Sequence, residues 1–264
     1  MLGLSIIWMI FVACFLALVP LKIFASFFAI AFVESYIFLW ISGAMIGATM
    51  ILCCFAKIKI KNIDVRKNFL LGLISVALSI GFGWCTSTYF CDTSKYDFAW
   101  QPLLMSILSI LSCITFVLAA ATFFTGKNMF SYASFFLFCP VLWFILLMIM
   151  YLSIYNNNPD VYEISLTAGL SLFLIYNTQI FSTSSTSNNT KLMFFFGIPS
   201  VILSACHCIP TVINYFANNG ISEVSASTCM IELLLSCYIV LILAEAHKQI
   251  HEPKEPNIRS IRIR

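Results

Sequence analysis

Long apolar stretches, broken by short polar clusters, set the pattern of this chain. A helix that crosses a bilayer needs roughly 20 apolar residues. The stretches predict eight such spans, at about 3–19, 31–55, 69–87, 101–123, 130–152, 163–182, 193–214 and 224–246. Residues 1–56 are nearly uninterrupted apolar sequence, which as one helix would run about 84 Å. That segment must fold back. Pro20 and Lys22 mark the expected break and Glu34 the second outer end, with Phe24–Val33 in the interface or lengthening a span. Later turns are expected at Gly126-Lys127-Asn128, Asn156–Asp160, the Ser/Thr/Asn-rich 182–190 and Asn218-Asn219-Gly220. Pro102 suits a first helical turn, and Pro140 predicts a kink in span 5. Backbone in lipid must satisfy its own hydrogen bonds, which leaves helices or closed barrels. Runs of this length lack the period-two alternation of a barrel strand. The expected fold is therefore an all-α, polytopic membrane bundle over 1–246, followed by a basic tail, 247–264.

Composition agrees. The 264 residues are 61% hydrophobic and 9% charged, with mean hydropathy +0.98, whereas soluble domains carry about 25% charged residues. Threading the spans puts twelve of the fourteen Lys and Arg on one side, leaving Lys22 and Lys95 on the other. Basic residues collect in cytoplasmic loops, so both ends are expected in the cytoplasm. The net charge of +3 sits in loops and tail. It points to the lipid bilayer, with anionic headgroups at 57–67 and the tail, and not to nucleic acid. Met1–Val19 lacks the basic start and small-residue cleavage site of a signal peptide.

Most of the eleven cysteines lie inside apolar runs, where a free thiol acts as a small hydrophobe. Cys85 and Cys91 flank a polar segment on the expected outer face. A disulfide between them and two free thiols are both open readings. Gly43-xxx-Gly47 with Ala44-xxx-Ala48, Ala77-xxx-Gly81 and Ser165-xxx-Gly169 are small-residue stripes that permit close helix contact. Ser106, Ser109 and Ser112 form a polar strip on span 4. All are expected to pack internally.

An ionisable residue within a membrane is a functional candidate. Two qualify, His207 in span 7 and Glu232 in span 8, each roughly 10 Å below the expected outer boundary. They are equidistant from the turn at 219–220 and are expected to stand level. Ser200, Ser204, Thr211 and Asn214 share a face with His207, and Ser225, Cys229 and Ser236 share one with Glu232. A further patch, Asn177 and Gln179, lies nearer the inner side. One reading makes His207, Glu232, Asn177, Gln179 and Asn214 line a cavity that binds a cation or relays a proton. The plainer one makes His207 and Glu232 a helix fastener. Cys206-His207-Cys208 does not predict a metal site, because consecutive helical residues point apart. His247 and His251 have i, i+4 spacing but lack further ligands. No cofactor is implied. The chain has no GxSxG, HExxH or Walker A sequence and no paired carboxylate on one helix, so it does not read as an enzyme. Asn188-Asn189-Thr190 is a glycosylation sequon on the expected cytoplasmic side.

Pro140-Val-Leu-Trp143, then Asn158-Pro159-Asp160-Val-Tyr162-Glu163 and the apolar run to Tyr176, resemble multi-span membrane proteins of anaerobic Gram-positive bacteria whose function is unassigned. The resemblance covers about 40 residues of spans 5 and 6. It implies a bacterial cytoplasmic membrane and transfers no site residue. The function expected is a transporter or permease-like component for a small solute or ion. The alternative is a non-catalytic subunit or sensor acting through a partner protein.

Overall fold

The computed structural model describes residues 2–28, 66–91, 100–131, 133–154, 161–181, 187–217 and 223–251, with 43, 44, 47, 48, 50 and 51. The described residues are helical apart from short turns. The helices are α1 (Leu2–Phe28), α2 (Phe69–Cys91), α3 (Trp100–Thr125), α4 (Cys139–Ile154), α5 (Val161–Phe181), α6 (Ser187–Phe216) and α7 (Glu223–His251). Five stretches are long and apolar enough to cross a membrane: Phe69–Cys91, Trp100–Thr125, Ser134–Leu152, Asn189–Phe216 and Ser225–Gln249. Outward side chains suit lipid, with Phe69 69%, Ile80 68% and Phe90 67% exposed. The 57–65 part of the basic loop and the tail after His251 lie outside the described residues, as does most of the second expected span.

Several boundaries differ from expectation. α1 does not end at Pro20 but runs through it to Phe28. Proline removes one backbone donor, which a helix packed along its length can tolerate; α1 packs against α6. α2 continues to Cys91, and α6 begins at Ser187, inside the expected 182–190 loop. α7 runs on to His251, so His247 and His251 are helical. Pro140 does not kink a helix. It sits in the first turn of α4, after a 3₁₀ turn at Ser134–Phe138. The carbonyl of Phe136, which an α-helix would pair with residue 140, accepts from the Cys139 N–H and from Thr115 Oγ1 at 2.6 Å.

α7 packs against α2 and α6, α2 against α3, and α3, α4, α5 and α6 pack in sequence. Aromatic rings fill the middle. Trp143 meets Phe82 edge-on at 5.2 Å, and Tyr238 meets Phe116 at 5.9 Å. The serine strip turns inward as expected. Ser106, Ser109 and Ser112 are buried, and Trp143 Nε1 donates to Ser109 Oγ at 2.7 Å. Two small-residue stripes serve internal contacts. A Cβ on Gly81 would stand 3.4 Å from Ile231 of α7, and one on Gly169 would stand 2.5 Å from Ser200 Oγ of α6. A Cβ on Gly43 or Gly47 would meet nothing within 4 Å among the described residues. Asn68 caps α2 by accepting from the Leu71 N–H at 3.2 Å and donates to Glu245 of α7 at 3.3 Å.

Candidate functional site

His207 and Glu232 do lie in one polar region, but the expected direct pairing is not what forms. His207 Nε2 stands 3.4 Å from Glu163 Oε1 in the first turn of α5, with exposures of 19% and 18%. Glu163 Oε2 is buried without a hydrogen bond among the described residues. Glu232 is 2% exposed, and the Cys208 thiol donates to its Oε2 at 3.0 Å. A helix turns about 100° per residue. His207 therefore turns to α5 and Cys208 to α7. The Cys206-His207-Cys208 run indeed does not converge on one point. Cys208 instead joins Cys229 and Glu232, an i, i+3 pair that shares a face of α7. Their three donor atoms lie within 4.8 Å of one another, and all three residues are buried. Cys229 touches both Cys208 and His207. Tyr151 of α4 neighbours Glu163 and Glu232, and Lys22 of α1 lies 5.8 Å from the Tyr162 ring centroid.

The level of this cluster follows from helix register. Glu163 is two residues into α5 and meets His207, nine residues before the end of α6. Gly169 is eight residues into α5 and meets Ser200, sixteen before that end. Both pairs place the start of α5 seven or eight residues, about 10–12 Å, short of the end of α6. The cluster therefore lies where the start of α5 falls short of the end of α6. Pro210 offers no N–H to the Cys206 carbonyl, and Thr211 Oγ1 donates to the His207 carbonyl at 2.9 Å.

The remaining expected residues fall elsewhere. Asn177 Nδ2 donates to Tyr238 OH at 3.3 Å. Tyr238 is six residues, about 9 Å, beyond Glu232 on α7. Asn177 Oδ1 has no hydrogen bond and borders a cavity of about 20 Å³ with Thr115, Thr178 and Tyr238, room for a single water. Gln179 is half-buried two positions on, on another face of α5. Asn214 is half-buried two turns beyond His207, outside the cluster. The Cys85–Cys91 disulfide does not form. Both thiols are free, Cys85 buried and Cys91 exposed, on one continuous helix. Six residues of helix separate their backbones by about 9 Å, beyond the roughly 7 Å that a disulfide spans.

Sequence reasoning missed Glu163, read only as an outer acid, and Cys208. Counting outward from the 219–220 turn could not decide whether His207 or Cys208 faces α7. No protein-family model, no curated protein and no solved structure matches this chain.

Proposed function

We propose that the chain is a transporter or permease-like component of a bacterial cytoplasmic membrane, moving a small solute or ion, with both termini in the cytoplasm. The observation that carries this is convergence. A histidine, two carboxylates and two thiols from α5, α6 and α7 meet at one point of a largely apolar bundle. Ionisable groups in such a setting are costly and mark solute or ion sites. Glu163 and His207 form a partly exposed rim, and Glu232 lies buried behind it. The cluster therefore reads as the entry station, with Asn177 and Tyr238 as a polar step further in.

One observation favours the second reading, a non-catalytic subunit or sensor acting through a partner. The cavity beside Asn177, further in than the cluster, holds about 20 Å³, room for a single water. The two readings separate in liposomes containing the purified chain. Electrical current or ion uptake with H⁺, Na⁺, K⁺ or Zn²⁺, lost in Glu232→Gln at equal protein content, supports transport. No flux of any kind, together with a stoichiometric co-purifying protein, supports the subunit reading and ends the transport one.

A further inference from the structure

We propose that Cys208, Cys229 and Glu232 form a binding site for a thiolate-seeking transition-metal ion, of which Zn²⁺ is the representative. This deepens the reading above. It rests on that reading for the position of the site and not for movement of the ion.

The donor set decides the ion class. Thiolates select Zn²⁺ and Cu⁺, whereas Mg²⁺ and Ca²⁺ require oxygen ligands throughout. The three donor atoms already lie within 4.8 Å of one another. In a tetrahedral zinc site with bonds of about 2.3 Å, two sulfurs stand about 3.8 Å apart. Closing the set therefore needs side-chain shifts on the order of 1 Å. Cys208 and Glu232 are closer still, at 3.0 Å, because the thiol now donates to the carboxylate. An ion takes the place of that proton. Each thiol gives up its proton to solvent, and the ion bridges sulfur and oxygen.

Charge and access also fit. Two thiolates and one carboxylate around a divalent ion leave one negative charge. That is two fewer than the same ligands carry without the ion. Three protein ligands from two helices leave one tetrahedral corner open, the pattern of sites that exchange a ligand. The rim of Glu163 and His207, 18% and 19% exposed, is the route in. Glu163 Oε2, buried and without a hydrogen bond among the described residues, stands by that route as a further oxygen donor. A hydrogen-bonded fastener explains the Cys208–Glu232 contact but leaves the approach of Cys229 without a purpose.

The test uses the full chain in mild detergent, stripped with chelator and titrated with Co²⁺. The site predicts one Co²⁺ per chain, sulfur-to-cobalt charge-transfer absorption and displacement by Zn²⁺. Cys208→Ser and Cys229→Ser should each lose the absorption. Cys206→Ser, two positions from Cys208, should keep it. No absorption with the thiols verified as reduced overturns the proposal, and so does absorption that persists in the Cys208→Ser/Cys229→Ser double variant. Because these variants could misfold, the wild-type chain supplies a second measurement. Zn²⁺ should raise its thermal midpoint where Mg²⁺ does not, and equal midpoints overturn the site. Co²⁺ binding without flux in liposomes upholds the site and ends transport. Flux of another ion without Co²⁺ binding ends the site and upholds transport.

Discussion

Gly169 and Ser200 hold the register that brings Glu163 to His207, and their contact can be tested with a double-mutant cycle. A Cβ built on Gly169 lies 2.5 Å from Ser200 Oγ and 3.7 Å from Ser200 Cβ, with nothing else within 4 Å. The hydroxyl is thus the whole obstacle. Gly169→Ala must either push α5 away from α6 or rotate the hydroxyl off the Phe196 carbonyl, which it now meets at 2.7 Å. Overpacking costs about 1–3 kcal/mol, and a lost hydrogen bond about 0.5–1.5 kcal/mol. Alanine in place of a helical glycine returns up to about 1 kcal/mol. The single variant should be destabilised by about 0.5–1 kcal/mol. In a Ser200→Ala background the obstacle is gone, the Cβ contact is ordinary, and the same change should stabilise. The propensity gain is common to both arms, so the coupling energy isolates the clash at about 1–2 kcal/mol. Thermal unfolding in detergent reads this as a few degrees, at about 2–4 °C per kcal/mol for a chain of this size. Additive effects, with no change of sign between the backgrounds, would refute the close approach and with it the register of the site.

Three further outcomes follow from single contacts. Trp143→Phe leaves the buried Ser109 hydroxyl without its donor and should cost about 1–3 kcal/mol, read by the same unfolding assay; an unchanged midpoint would remove that bond from the account. Cys85 and Cys91 should both be alkylated after denaturation without reductant, and a mass deficit of two hydrogens in the spanning peptide would contradict the continuous helix α2. A Glu163→Gln, His207→Gln cycle should give a coupling of about 0.5–1 kcal/mol, as for an ion pair at the water boundary, and strict additivity would place the two side chains apart.

The bundle itself was legible because lipid allows little else. Runs of about 20 apolar residues must be helical, and α2, α3, α6 and α7 all contain their expected spans. The boundaries were less legible. Pro20 reads as a break, but packing of α1 on α6 carries the helix through it. Pro140 reads as a kink, but a 3₁₀ turn moves it to a helix start, and Thr115 on another helix supplies the extra donor. The site was legible by type and not by pairing. Polar stripes placed His207 and Glu232 toward the interior. Which neighbour each meets depends on the seven- or eight-residue offset of α5 against α6, a tertiary quantity with no local signal. The same offset brought in Glu163 and left Asn177, Gln179 and Asn214 outside.

That offset also changes the depth of the site. A hydrocarbon core is about 30 Å thick. α5 has 21 residues, about 31 Å of helix, and would just match that thickness as a sixth span. Its first turn would then lie at the boundary, with the Glu163–His207 pair beside it instead of 10 Å below. α6 has 30 residues and α7 has 29, so two turns of each project past that level. A charged pair at the boundary costs far less than one at midplane, which agrees with exposures of 18% and 19%. Val212 lies five residues beyond His207, about 7 Å further out, and half-buried. Leu172 lies eleven residues into α5 on its outward surface. In a background with the native exposed thiols replaced, Val212→Cys should react rapidly with a membrane-impermeant maleimide, and Leu172→Cys should not. Slow reaction at both positions would put α6 inside the lipid at that level and return His207 to the bilayer interior, where its approach from water would need a further opening of the bundle.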